Sequence, residues 1–180
     1  MKTVLHTLKR ATGPALVAGL VVASTATPAA AQTPGSTAYR IFGGFAGLQA
    51  NSGFQNHVTA SVSGAGHLIL SDTAGIAAGP GCTRVTGSTT SADCGSIATV
   101  TRLGIQLGDQ NDTAVINVSV NSLVDAGTGI DSVTTNGGND TISVQDGAGG
   151  DTVTCGGGTD TVFADSTDSV AGDCEVKHIV

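Results

Sequence analysis

From His57 onward the chain runs in short blocks of Val, Ile, Leu and Thr, broken every eight to twelve residues by Gly, Asn or Asp. The blocks His57–Ser63, His67–Ser71, Ile97–Leu107 and Thr113–Leu123 predict strands bounded by turns. No apolar spacing of about 3.6 residues, the period of a helix face, follows the first 31 residues. Residues 32–56 are polar, Gly-rich and irregular, and predict a linker or an N-terminal cap ahead of a body spanning 57–180.

The last fifty residues repeat. Gly127-Thr-Gly-Ile-Asp131-Ser-Val133, Asn136-Gly-Gly-Asn-Asp140-Thr-Ile142, Gly147-Ala-Gly-Gly-Asp151-Thr-Val153 and Gly156-Gly-Gly-Thr-Asp160-Thr-Val162 each give a Gly-rich turn, an Asp, a Ser or Thr, and a β-branched aliphatic. Less complete units hold Asp112 before them and Asp168-Ser-Val170 after. Successive aspartates from Asp131 lie 9, 11, 9 and 8 residues apart, room for one turn and one short strand. Two units then make one circuit of a flattened solenoid, which places Asp112, Asp131, Asp151 and Asp168 on one side and Asp140 and Asp160 on the other. Val133, Ile142, Val153, Val162 and Val170 turn inward, and such repeats bury apolar area only by stacking on neighbours.

Composition makes that thin core necessary. The 180 residues include 27 Gly, one Tyr, four Phe and no Trp, too few large side chains for a thick core. Charge raises a further problem, because 12 of the 14 acids fall in residues 105–180, where Lys177 is the only Lys or Arg. Carboxylates stacked on strands ~4.8 Å apart would repel by roughly 3 kcal/mol per pair at an effective dielectric near 20. A cation between circuits relieves this, and calcium, which takes six to eight oxygens at ~2.3–2.6 Å, suits the spacing better than magnesium. The other role for each Asp is a turn residue bonding its own backbone.

These units resemble the nonapeptide repeats of RTX (haemolysin-type) calcium-binding proteins, Gly-Gly-x-Gly-x-Asp-x-U-x with U a large aliphatic. The likeness covers residues 126–175, and only the Asp160 unit keeps the opening glycines in register. It implies an all-β fold, a parallel β-roll or β-helix solenoid with Gly/Asp-rich turns. It also implies Ca²⁺ ligation by Asp131, Asp140, Asp151 and Asp160, and by Asp112 and Asp168 in the less complete units. Asp109, Asp125, Asp146, Asp165 and Asp173 read as solvated turn acids, with additional ligation as the alternative role of Asp146 and Asp165. The segment from Cys155 to Glu175 looks like the C-terminal ends of degenerate RTX-like proteins secreted by actinobacteria.

The N-terminus carries Lys2, Lys9 and Arg10, an apolar run from Ala15 to Ala23, and Pro28-Ala29-Ala30-Ala31. This is the plan of a secretory signal peptide cleaved after Ala31, and the run is too short to span a bilayer. Beyond it stand four Lys and Arg against 14 Asp and Glu, a balance that disfavours nucleic acid and anionic membrane and favours cations. Cys82, Cys94, Cys155 and Cys174 predict two disulfides in one of three connectivities. Solenoid geometry favours Cys155–Cys174, one circuit apart, and Cys82–Cys94, closing the Ser/Thr-rich excursion Thr83–Asp93. Zinc is the weaker use of these cysteines, since no Cys-x-x-Cys occurs and the histidines stand far apart.

No Gly-x-Ser-x-Gly elbow, phosphate loop or His-Glu-x-x-His appears, so catalysis is not expected. The sequence therefore points to a secreted calcium-binding β-roll with a structural or interaction role and calcium-coupled folding. The alternatives are a metal-independent adhesin binding an extracellular polymer or cell surface through Thr134, Thr141, Thr152 and Thr161, and a small polysaccharide-active enzyme.

Overall fold

The computed structural model describes residues 32–180, and the signal-peptide expectation for residues 1–31 lies outside them. The described chain is all-β. Its first strands are β1 (Ser36–Arg40), β2 (Phe45–Ala50), β3 (His57–Val62), β4 (His67–Asp72) and β5 (Ile76–Ala78). Then come β6 (Thr83–Arg84), β7 (Ser91–Ser96), β8 (Arg102–Gln106), β9 (Thr113–Ile116), β10 (Ser122–Asp125) and β11 (Ser132–Thr134). The last five are β12 (Thr141–Ser143), β13 (Thr152–Thr154), β14 (Thr161–Ala164), β15 (Ser169–Val170) and β16 (Val176–Ile179). Short 3₁₀ turns at Phe42–Gly44 and Ile97–Thr99 are the only helical pieces among the described residues. None of them is long and apolar enough to cross a membrane.

The strands form two eight-stranded mixed sheets. Sheet A has the order β16-β14-β12-β10-β8-β2-β1-β5, and sheet B the order β15-β13-β11-β9-β3-β4-β7-β6. From β8 to β16 the chain alternates between the sheets; β8 and β9 pair in parallel with β2 and β3, and from β10 on each strand pairs in parallel with the strand two places earlier in the chain. Toward the N-terminus antiparallel pairs appear: β1 with β2, β3 with β4, and β7 with β4 and β6.

Alternation along each strand builds the core. In sheet B, Val58, Ala114, Val133, Val153 and Val170 fall in one register column. In sheet A, Leu48, Ile105, Val124, Ile142 and Val162 form the facing column. All but Val170 are buried, and Val170 packs against them at the last turn. At the next position of sheet A, Lys177 pairs with Val162, and its ammonium donates to the carbonyls of Val170 (3.2 Å) and Ala171 (2.6 Å) in the other layer. Its stem thereby lies over the end of the apolar column.

The disulfides are Cys82–Cys94 and Cys155–Cys174. The segment Thr83–Asp93, expected as an excursion, is a hairpin in which β6 pairs with β7, Thr83 lying opposite Asp93. Residues 36–50, inside the stretch read as irregular, form the β1–β2 hairpin that extends sheet A. Gly spacing hid these strands, since Gly47 contributes no apolar side chain to the alternation.

Turns between sheets bring backbone against backbone. Gly129 and Gly158, each two residues before an Asp, have φ of 146°, and a Cβ there would overlap the carbonyl oxygen of Gln110 or Gly138. Gly172 has open space around it. Replacing Gly158 by Ala should therefore cost about 2 kcal/mol or more, while Gly172→Ala stays within about 0.5 kcal/mol of the parent. Chemical denaturation of the two variants side by side checks this.

Candidate functional site

At the start of β3 and of each strand from β9 to β14, one backbone N–H points along the stack instead of into a ladder. A buried N–H without an acceptor costs about 1–3 kcal/mol. The aspartates supply the acceptor. Asp112 Oδ1 accepts from the N–H of Asn56 (2.7 Å), Asp131 Oδ1 from Asp112 (2.8 Å), and Asp151 Oδ1 from Asp131 (2.6 Å). Asp168 Oδ1 closes this column on the N–H groups of Asp151 (3.1 Å) and Gly150 (3.0 Å). On the opposite side Asp140 Oδ1 accepts from Ser122 (2.7 Å), Asp160 Oδ1 from Asp140 (2.8 Å), and Glu175 Oε2 from Asp160 (2.8 Å). Each carboxylate reaches back to the start of the adjacent strand in its own sheet, so the two columns hold every aspartate singled out by its spacing.

A second, reciprocal set runs forward. Asn111 Oδ1 accepts from Ile130 N–H (3.0 Å), Asn121 Oδ1 from Asn139 (2.9 Å), and Asn139 Oδ1 from Thr159 (3.0 Å). In the sequence the only signal of these asparagines is the dipeptides Asn111-Asp112 and Asn139-Asp140. The head of the first column carries no such signal. Asp72 is fully buried and accepts from Asn56 Nδ2 (2.6 Å), His57 N–H (3.2 Å) and Ala74 N–H (3.0 Å). Asp146 and Asp165 are likewise occupied by amides, Asp146 by Gly129 (3.1 Å) and Asp165 by Asp146 (3.0 Å) and Gly147 (2.9 Å).

Burial sets the electrostatics. Asp112, Asp131, Asp140, Asp151 and Asp160 are at most 2% exposed. Loss of water pushes the Asp112 carboxyl up to about 7, with Asp131, Asp72 and Asp109 adding to it and the Asn56 amide opposing it. Burial raises Asp131 to about 6, reinforced by Asp151 and Asp146. Asp140, Asp151 and Asp160 are also raised, again chiefly by burial. Among the described residues no lysine or arginine pairs with them. Among the described residues the one ion pair is His67 with Asp93 (2.9 Å), a hydrogen bond that lowers the Asp93 carboxyl.

Three column carboxylates keep an unused oxygen. Among the described residues, Oδ2 of Asp112, Asp140 and Asp160 is buried without a hydrogen-bond partner, as is Oδ1 of Asn56. The carboxylates nevertheless do not converge, because among the described residues no three His, Cys, Asp or Glu side chains gather as a metal site. They do not make a calcium shell by themselves; an ion there would have to take turn carbonyls beside single carboxylate oxygens. The threonines weighed as contact residues lie on both outer faces, Thr141 beside Thr161 on sheet A, and Thr134 and Thr152 on sheet B.

A carboxyl raised in the folded state holds its proton to higher pH than in the unfolded chain. Its contribution to stability is therefore complete below about pH 4 and is lost as pH rises through about 6–7. The melting temperature should fall between pH 5 and pH 8 in metal-free buffer. Asp112→Asn keeps the acceptor and removes the charge, so it should flatten that fall, whereas Asp112→Ala should cost about 1–3 kcal/mol by stranding the Asn56 amide. Melting curves across this pH range report both.

Comparison with family models, with curated proteins and with solved structures finds no match to this chain.

Proposed function

We propose that this chain is an exported parallel β-solenoid, of the β-roll or β-helix kind, that serves as a structural and surface-binding scaffold independent of metal. One observation carries the reading: all six aspartates of the columns already spend an oxygen on a backbone amide of the neighbouring circuit. They act as rungs that join circuits. The alternation of strands between two layers and the parallel registers from β8 to β16 support the solenoid. The leader-like N-terminus and the two disulfides support export to an oxidising compartment. Asp173 and Glu175, the nearest thing to an acid/base pair in the sequence, each accept amides, which favours a structural role over catalysis.

A second reading keeps calcium and the likeness to RTX repeats. It is favoured by the unpartnered Oδ2 atoms of Asp112, Asp140 and Asp160, which offer buried oxygen ligands at three turns. In that reading Asp131, Asp151 and Asp168 complete the set, and the ion supplies the neutralisation that burial otherwise obtains from protons.

Thermal melts in EDTA and in millimolar calcium separate the two. The scaffold reading expects superimposable curves, and an Asp140→Asn/Asp160→Asn double variant at least as stable as the parent at pH 8, because Asn preserves both acceptors. A calcium-dependent rise in melting temperature that this double variant abolishes would establish the second reading instead.

A further inference from the structure

The outer face of sheet A carries a group of side chains that neither the core nor the Asp columns use. In register across β1, β2, β8 and β10 lie Tyr39, Gly47, Gly104 and Leu123. The two glycines leave room for aromatic rings to reach over them. A Cβ at Gly47 would stand 2.7 Å from the Tyr39 hydroxyl, and one at Gly104 would stand 2.6 Å from Phe45 Cζ. The rings stack on each other with centroids 6.1 Å apart and planes 25° off parallel. The covered glycines are buried and the rings half-buried, so the rings are only partly withdrawn from solvent. Phe42, at the tip of the β1–β2 hairpin, is fully exposed at 103%, and Leu123 is 51% exposed.

Two residues further along the same strands, ~7 Å away, the face turns polar. Gln49, Gln106 and Asp125 lie directly opposite one another and line a pocket of about 260 Å³ with Gly108 and Gly127. All three side chains are exposed. An apolar row with two aromatic rings, across four strands spanning roughly 14 Å, thus runs beside a row of amides and a carboxylate on three of them.

We infer that this face binds a neutral polysaccharide chain. A sugar ring is apolar on the faces where its C–H bonds point and polar around its rim. Those C–H groups are drawn to the negative face of an aromatic ring. The rim hydroxyls both donate and accept, as glutamine amides do, and Asp125 adds an acceptor. The occupant is not an added peptide strand, since β1, β2, β8 and β10 are all interior to the sheet and their backbone groups are engaged in the ladder. A polyanion is disfavoured by the four bases set against 14 acids beyond residue 31.

This rests on the reading of the chain as a surface-binding scaffold, and it is tested apart from it by working in EDTA. Purified protein is mixed with washed microcrystalline cellulose, chitin, insoluble xylan or starch granules at high salt, and the bound fraction is measured after sedimentation. Retention on at least one of the four is expected, weakened about tenfold or more in Gln49→Ala/Gln106→Ala and in Phe42→Ala. These side chains are exposed, and an unchanged melting temperature will show that each variant is folded. Absence of retention on all four would overturn the inference, as would retention that the variants leave intact or binding confined to a charged matrix and abolished by salt. A calcium-dependent melt would remove the scaffold reading while leaving this face to be judged by its own variants.

Discussion

The structure depends on one constraint: where one length of chain lies against the next, the backbone amide at the start of β3 and of each strand from β9 to β14 must find an acceptor in a place closed to water. A strand ladder cannot supply it, because the chain is still turning there. A short side chain with an oxygen at the right reach can, and Asp131 meeting the Asp112 amide, or Asp160 meeting the Asp140 amide, is the repeated solution. The other features follow from the closeness this requires. Gly129 and Gly158 occupy positions where any side chain would strike a neighbouring carbonyl. The three-residue strands β11, β12 and β13 need contribute only one buried aliphatic each, since register stacks these into columns.

Carboxylates are a demanding choice for such a place. An asparagine would accept the same bond without charge, and Asn111, Asn121 and Asn139 do so in the opposite direction. Burial of the aspartates without basic partners drives their carboxyls upward, most clearly at Asp112, which also lies near Asp72 and Asp131. The amide dipole offsets part of that cost. The columns end where the chemistry changes: Glu175 replaces Asp at one end, Ser122 heads the same column, and Asn56, held by Asp72, heads the other. Cys155–Cys174 ties the last circuits together beside the partly exposed β15 and exposed β16, where a bare sheet edge would otherwise invite pairing.

Much of this was legible from spacing. A period of about nine residues put Asp131 and Asp151 on one side and Asp140 on the other, and it marked Val133, Ile142, Val153 and Val162 as core. The direction of the carboxylates was not legible. Coulomb repulsion between stacked acids suggested a cation, but a backbone amide one circuit away is not a pattern in the sequence; it exists only once the circuits are stacked. Asn56 and Asp72 were hidden for the same reason, lying far from the repeat and joining its column only through β3 and β4. The β1–β2 hairpin was obscured by Gly47, whose missing side chain makes sense only with the Tyr39 ring above it.

The account stands on the amides of the columns, and native-state hydrogen exchange in metal-free buffer observes them directly. The N–H groups of Asn56, Asp112, Asp131, Asp140 and Asp160 should exchange orders of magnitude more slowly than that of the open turn residue Gly172, with protection approaching that of the core strands. Exchange of these five amides at the rate of Gly172, or protection that appears only when calcium is added, would contradict the claim that the aspartates hold the circuits together through their backbone bonds.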